Sequence, residues 1–236
     1  MFLYHPALRV LAAVAAFALV AVFLLVTVLR AASNGPQGSL TFAYHQHNGS
    51  GRMDQTLEIL NAGSSAVVPR LEIVPVDSSG AAVAGVHVST AYGSDEGRLL
   101  AAAQTISLDV LAFTGGDAPK VADVRVTVLA SATVEFPVAP QEVVVQAVDA
   151  AGEPTSKYGP FWSVELTNPN PKKVTAGVVC ILWDQPPAGQ SQQARIVIPV
   201  GVTTIAANAS TTIRAGGAAA DGCGSLKAYF TTLDHA

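Results

Sequence analysis

Short segments in which apolar and polar residues alternate make up most of the chain after its first forty residues. In TLEIL, Leu57 and Ile59 alternate with polar neighbours, and Val164 and Leu166 do the same in SVELT. A period of two puts alternate side chains on opposite faces of a strand, so these segments are predicted to be half-buried β-strands. Clusters such as NAGSS, TGGDAP and DQPPAGQ predict turns between them. Only SDEGRLLAAAQ is predicted to form one or two helical turns, so the pattern indicates an all-β fold.

The same strand pattern occurs twice along the chain. Residues 56–77 align without a gap with residues 163–184, and the offset continues at Thr105–Ile106 and Thr212–Ile213. The matched pairs are Glu58 with Glu165, Asn61 with Asn168, Val67 with Val174, and Asp77 with Asp184. A repeat of about 100 residues is the usual size of a two-sheet sandwich, in which each sheet covers the apolar face of the other. We therefore predict two tandem β-sandwich domains, residues 39–137 and 138–236.

Two shared residue types stand at the ends of strands. Asn61 and Asn168 follow one predicted strand, and Asp77 and Asp184 follow the next. Asparagine and aspartate side chains commonly bond the backbone of the turn in which they lie, and we predict that role for all four. The alternative for the two aspartates is an acidic site for calcium or catalysis.

A long apolar run lies near the amino terminus. Residues 10–29 read VLAAVAAFALVAVFLLVTVL and contain no charge. As a helix the run would be about 30 Å long, which matches the apolar thickness of a bilayer. A cleaved signal peptide is the main alternative, but the run is long for one, and Arg30 interrupts the expected cleavage zone. The predicted segments are a cytoplasmic stub (1–9), a transmembrane helix (10–30) and a linker (31–38).

Orientation and location follow from the size of the two flanks. Nine residues precede the apolar run and about 200 follow it, and a large domain translocates with little regard to its charge. The expected location is the cell membrane, with a single pass, the amino terminus in the cytoplasm and the C-terminal domains outside it. Residues 10–29 would contact the lipid bilayer.

The composition limits the classes of partner. Apolar residues make up 50% of the chain and charged residues 13%, which suits a globular protein with a sizeable core rather than a disordered one. The formal net charge is -4, and no block of basic residues is present. A surface for nucleic acid is therefore not expected.

One strand resembles a known module. The segment VCILWD at residues 179–184, preceded by an N-x-N-P pattern, resembles the strand that names the FxLYD-type domain, a bacterial and archaeal extracytoplasmic sandwich module. Trp183 stands where that family has tyrosine, no phenylalanine leads the motif, and IVPVD is the weaker match in the first repeat. The resemblance implies an immunoglobulin-like fold for each sandwich and no known catalytic residues. The expected architecture is thus one transmembrane helix followed by two immunoglobulin-like β-sandwiches.

Both cysteines lie in the second repeat. An extracytoplasmic pair is normally oxidised, so we predict a disulfide between Cys180 and Cys223. Strict alternation places Cys180 on the core face with Val178 but places Cys223 on the outer face with Lys227. The glycines on either side of Cys223 could bend the chain and remove that objection. The alternative is two separate buried thiols.

The most specific chemical hypothesis from the sequence is a copper site. His45 and His47 fall on the same strand face, and Met53 follows a glycine-rich turn. Neutral imidazoles and a thioether are suitable copper ligands. The alternative is a pair of exposed histidines at a strand end, in which case the protein needs no cofactor.

An aromatic cluster is the predicted contact surface for a partner. Tyr158, Phe161 and Trp162 lie within SKYGPFWS, too close together for all three to be buried on one face. Tyrosine and tryptophan are frequent anchors at protein interfaces. We therefore predict that at least one of these rings is exposed and contacts a partner.

No recognised catalytic pattern is present, because the chain lacks a G-x-S-x-G elbow, an H-E-x-x-H motif and a phosphate-binding glycine loop. The sequence favours a non-enzymatic accessory or structural interaction subunit of a larger membrane protein complex. The alternatives are an extracytoplasmic copper-binding module and a cell-surface module that binds a ligand or glycan.

Overall fold

The computed structural model describes residues 38–46, 53–187 and 190–232. Within these ranges the chain forms twelve β-strands and two short 3-10 helices, with no α-helix, so the all-β prediction is confirmed. The predicted transmembrane helix, residues 10–30, lies outside the described residues, as does the stub before it. Among the residues that are described, no helix has the length and apolar character to span a membrane.

Each repeat contributes six strands. Those of the first repeat are β1 (Leu40–His45), β2 (Thr56–Asn61), β3 (Ala66–Val76), β4 (His87–Thr90), β5 (Thr105–Thr114) and β6 (Asp123–Val134). Those of the second are β7 (Val144–Val148), β8 (Ser163–Thr167), β9 (Val174–Trp183), β10 (Ala194–Ile205), β11 (Ser210–Arg214) and β12 (Ser225–Phe230). The predicted domain boundary at residues 137 and 138 falls between β6 and β7.

The strands form four sheets, and every pairing between them is antiparallel. The first repeat has the orders β1-β2-β5-β4 and β3-β6, and the second has β11-β8-β7 and β10-β9-β12. Equivalent strands take equivalent places with one exception. The fourth strand of the first repeat, β4, pairs with β5, whereas the fourth strand of the second, β10, pairs with β9. The two repeats therefore share a plan but differ in which sheet receives this strand.

The strand register corrects one detail of the repeat alignment. Leu108 lies opposite Glu58 in the first repeat, and Thr212 lies opposite Glu165 in the second. Thr212 therefore occupies the position of Leu108 and not that of Thr105. The constant offset was wrong beyond the aspartates, because the connection before the fifth strand differs between the repeats.

The two shared asparagines have the same structural role. The amide of Asn61 donates to the carbonyls of Ser65 at 2.9 Å and Ala101 at 3.0 Å. The amide of Asn168 donates to the carbonyl of Lys172 at 2.9 Å and to the carbonyl of the residue that follows β10, also at 2.9 Å. Both side chains are fully buried. The predicted turn role is confirmed, and each asparagine also fixes a distant segment to its turn.

The two shared aspartates also hold turns. The carboxylate of Asp77 accepts hydrogen bonds from the backbone N–H groups of Ser79 at 2.8 Å and Ala81 at 3.1 Å. The carboxylate of Asp184 accepts one from the N–H of Gln193 at 2.7 Å, across the loop between β9 and β10. The predicted turn role is confirmed for this pair as well.

The predicted helical turn is wrong. Residues 94–97 form a turn, and the chain after Leu99 runs without helix along the edge of β3, where Val67 and Ala101 exchange backbone hydrogen bonds of 3.0 and 2.8 Å. Leu99, Leu100 and Ala101 are all buried. Pairing with β3 and burial therefore override the helix propensity of these residues.

Strand β9 is buried on both of its faces. Val178 and Cys180 belong to a core within the second repeat, together with Leu166. Val179 and Ile181, which point the other way, belong to a cluster whose other buried members are first-repeat residues, apart from Ala194. The outer face of the β10-β9-β12 sheet therefore packs against the first repeat, a contact that we call the repeat seam.

Polar and aromatic contacts reinforce the repeat seam. The rings of Tyr92 and Tyr229 stack across it with centroids 5.1 Å apart and an angle of 9°. Backbone and side-chain bonds also cross it: Leu100 N–H to the Phe230 carbonyl (2.9 Å), the Thr231 hydroxyl to the Arg98 carbonyl (2.7 Å), Phe113 N–H to Gln193 Oε1 (3.1 Å) and Gln192 N–H to Asp54 Oδ2 (2.7 Å). The described residues accordingly fall within one compact unit.

The predicted disulfide is confirmed. Cys180 and Cys223 are bonded, with Cα atoms 5.4 Å apart, and both are buried. Cys223 precedes β12 and does not follow its alternation, because Gly222 adopts a φ of 128° just before it. The bond ties the centre of β9 to the entry of β12.

Removal of this bond should destabilise the chain strongly. For a closed loop of 43 residues, the chain-entropy model gives a loss of about 4 kcal/mol in the free energy of unfolding for the double variant Cys180→Ala, Cys223→Ala. Denaturant unfolding of the full chain in detergent, followed by tryptophan fluorescence, measures the difference. A loss below about 1 kcal/mol would contradict the expectation, since it would mean that the unfolded chain gains little freedom.

Gly177 should be required at the repeat seam. A Cβ atom at this position would lie 2.5 Å from Cζ of Tyr229, so Gly177→Ala must displace the ring that stacks on Tyr92. We expect a loss of about 1–3 kcal/mol in the free energy of unfolding. Gly116→Ala is the matched control, because its Cβ would enter open space, and it should change stability by less than about 0.5 kcal/mol. Equal effects of the two substitutions would show that the seam does not need this close approach.

Candidate binding groove at the repeat seam

A groove of about 350 Å³ opens where the two repeats meet. Its walls come from both repeats and from the segment that connects them. The residues on which its properties depend are Glu58, Ile106 and Leu108 of the first repeat, Glu142 of the connection, and Lys227 and Tyr229 of β12. Residues of both repeats and of the connection line this cavity, and we call it the seam groove.

The first-repeat wall of the seam groove is more apolar than its counterpart in the second repeat. Leu60 and Ile106 lie opposite each other on β2 and β5, and they are 38% and 53% exposed. The equivalent cross-strand pair in the second repeat is Thr167 and Ser210, whose hydroxyls are 2.7 Å apart. Sheet faces that contact water are normally polar. The exposed apolar pair Leu60 and Ile106 therefore indicates that another molecule covers this face of the first repeat.

A buried carboxylate holds one end of the groove in place. Asp109 is fully buried, and its oxygens accept backbone N–H bonds from Tyr92 at 2.8 Å, Ser94 at 3.0 Å and Val110 at 2.7 Å. These bonds fix the backbone that carries the Tyr92 ring against Tyr229. Burial raises the pKa of Asp109 to about 6, and the hydrogen bonds that it accepts only partly oppose that rise.

The charges in the groove have both signs. Glu58 lies next to His45, whose Nε2 is 3.3 Å from Glu58 Oε2. Glu142 and Lys227 are exposed at the rim. Two carboxylates and one ammonium group therefore border a hollow that is lined by both apolar and hydroxyl side chains, which suits a ligand that combines apolar surface with positive charge.

The residues of the copper hypothesis are only partly described. His45 has the contact with Glu58 given above, and Met53 is half-buried, packs against the first-repeat core and lines the seam groove. His47 lies outside the described residues. Within the parts of the chain that the structure describes, no three or more histidine, cysteine or acidic residues are grouped as metal ligands. Copper binding stays a prediction.

The aromatic cluster divides between core and surface. Phe161 is 4% exposed and belongs to the second-repeat core. Tyr158 is 74% exposed and Trp162 is 49% exposed, with the guanidinium of Arg214 4.1 Å from the centre of the Trp162 ring. Phe161 is therefore no part of the open surface. Contact of Tyr158 and Trp162 with a partner stays a prediction.

Sequence reasoning missed the seam groove. Its walls lie on strands that are far apart in the chain, and alternation alone does not show which outer face another sheet covers. A signal was nevertheless present, because Ile106 and Leu108 occupy outer positions at which the second repeat has Ser210 and Thr212. Comparing the repeats face by face, after correcting the register, would have found it.

No family model, curated protein or solved structure matches this chain. The likeness of VCILWD to the FxLYD-type strand thus stays a resemblance carried by those residues alone.

The buried carboxylate should make stability depend on pH in an unusual direction. Because its folded pKa of about 6 lies above the ordinary value near 4, protonation favours the folded state as the pH falls through 6. We expect Asp109 alone to make the chain about 1 kcal/mol more stable at pH 5 than at pH 7. Unfolding measured at both pH values should show this gain in the wild type and in the control Asp117→Asn, which removes a half-buried carboxylate, but not in Asp109→Asn. An unchanged gain in Asp109→Asn would contradict the assignment.

Proposed function

We propose that this chain is a non-enzymatic, single-pass membrane protein that serves as an accessory interaction subunit of a larger membrane complex. Residues 10–30 anchor it in the bilayer with the amino terminus in the cytoplasm. Two immunoglobulin-like β-sandwiches then lie outside the cytoplasm and act as one rigid body that presents the seam groove. The continuous core across the repeat seam is the observation that carries the proposal.

Rigidity supports an interaction role in a direct way. Val179 and Ile181 are buried with first-repeat residues, so separating the repeats would expose the second face of β9 to water. Burial of apolar surface favours association by roughly 25 cal/mol per Å². A body of this kind holds its surface residues in fixed positions, which lowers the entropic cost of binding a partner.

Strand order supports an immunoglobulin-like interpretation. In each repeat the first, second and fifth strands pair in the order first-second-fifth, and the third pairs with the sixth. This is the arrangement of a sandwich whose two sheets exchange strands by long connections. The VCILWD resemblance points to the same family of folds, and the inward residues of both sheets supply its core.

The disulfide supports a location outside the cytoplasm. Cys180 and Cys223 are bonded and buried, and disulfides of this structural kind persist in oxidising compartments. The apolar run of residues 10–29 supplies the means of anchoring a body that has been moved there.

The burial and hydrogen bonds of Asp109 also fit a binding role rather than a catalytic one. Asp109 is sealed from solvent, and its oxygens bond three backbone N–H groups. It therefore positions the chain around Tyr92, a structural task. The groove residues that solvent reaches, such as Ile106 and Lys227, are suited to contact rather than to proton transfer.

Cysteine labelling should reveal the topology. Single additional cysteines are placed at His5→Cys in the stub and at Ser131→Cys, an exposed position of β6. In right-side-out membrane vesicles, a membrane-impermeant maleimide should label Ser131→Cys at once and His5→Cys only after the membrane is opened. The native pair is oxidised and supplies the unlabelled background. Labelling of His5→Cys alone in intact vesicles, or recovery of the chain in the soluble fraction, would refute the anchored arrangement.

A further inference from the structure

We propose that the seam groove binds an extended segment of a partner protein in which apolar residues alternate with basic ones. This inference rests on the proposed function, since it names the partner chemistry for the surface that the rigid body presents. Shape, exposed apolar residues, charge and the nature of the other faces each support it.

The shape of the groove suits side chains rather than a folded domain. About 350 Å³ lies between the outer face of the first repeat and β12, and the groove continues the repeat seam directly. Leu108 and Tyr229 line it from opposite repeats. A hollow of this size accepts a few side chains of an extended chain, the form in which peptides commonly dock beside β-sheets.

The apolar surface extends beyond the hollow itself. Leu60 lies beside Ile106 at its rim. On the side of the connection, Val138 is 55% exposed, and its neighbour Ala139 donates a backbone hydrogen bond of 3.0 Å to the carbonyl of Ala103. The exposed residues thus form an elongated edge, which a chain can follow and a small molecule held in the hollow would leave uncovered.

The balance of charge favours a basic partner segment. Glu58 and Glu142 line the groove against one cation, Lys227. A lysine or arginine between apolar residues of the partner would approach these carboxylates as its neighbours enter the hollow. Complementary charge at a rim of this kind chiefly sets specificity and the rate of association.

A second copy of the chain is a poorer occupant. Pairing by two-fold symmetry would bring two hollows together, because each copy would present the same surface. Stacking end to end would meet polar faces, since Arg70 and Glu72 are exposed on the outer face of the first repeat, and Thr212 is exposed on that of the second.

Two matched peptides provide the test. Fluorescently labelled peptides of sequence LKVKL and LEVEL, with blocked termini, have equal apolar content and opposite charge. They are titrated against the full chain in nanodiscs of zwitterionic lipid, and fluorescence anisotropy measures binding. We expect LKVKL to bind and LEVEL to bind at least tenfold more weakly.

Variants of the chain then locate the binding. Ile106→Ser and Leu108→Thr install the residues that the second repeat carries at these positions, so both should be tolerated by the sheet. Each should weaken LKVKL binding about tenfold, the effect of losing one buried apolar contact of about 1.4 kcal/mol. Ile196→Ser, an exposed isoleucine that does not line the groove, should leave binding unchanged.

Three other outcomes of the binding and sedimentation measurements overturn the proposal. Equal binding to the wild type and to Ile106→Ser would place the peptide elsewhere, in the lipid for instance, and stronger binding of LEVEL would reverse the charge assignment. Sedimentation showing a dimer that Ile106→Ser dissociates would assign the groove to a second copy. If neither peptide binds while cysteine labelling gives the expected topology, the groove proposal is refuted and the anchored-subunit proposal stands. If labelling contradicts the topology while LKVKL still binds at Ile106, the anchored-subunit proposal is refuted and the groove proposal stands.

Discussion

The burial of strand β9 on both faces is the constraint on which the described structure depends. A sandwich sheet ordinarily gives one face to its core and the other to water, and its strands then alternate. In β9, Val178 and Cys180 face one core while Val179 and Ile181 face another, so the run VVCI is apolar without interruption. Either face left uncovered would place these side chains in water. The hydrophobic effect that forms each repeat therefore also joins the two.

Much of the fold within each repeat could be predicted from sequence because its signals are local. Alternation at Leu57 and Ile59 marks a strand wherever the partner strand lies, and an asparagine at a strand end bonds its own turn, as Asn61 and Asn168 do. The disulfide could be expected from redox chemistry. The flanking glycines permitted a bend that brings Cys223 inward, but the sequence did not determine the positive φ of Gly222. The residues after Ser94 were misread because propensity is a weak guide where a neighbouring strand offers hydrogen bonds.

The candidate site depended on information that is not local. Tyr92 and Tyr229 meet only because the repeats pack in one particular way, and the groove needs Ile106, Glu142 and Lys227 from three separate segments. The apolar run around Ile181 has the same appearance whether one sheet or two cover it. The register added a further obstacle, since the uncorrected alignment compared Ile106 with the wrong residue of the second repeat and hid the replacement of apolar by hydroxyl side chains.

The unlike outer faces of the two repeats have a consequence for how such a protein can grow. Repeat arrays lengthen by copying a unit only if each unit carries a joining surface on both sides. Here the second repeat has Thr167 and Ser210 where the first has Leu60 and Ile106, and the first has Glu72 where the second has Val179. A copy of either repeat alone would carry only one of the two unlike surfaces that join at the seam, so duplication of a single repeat would not by itself extend the array.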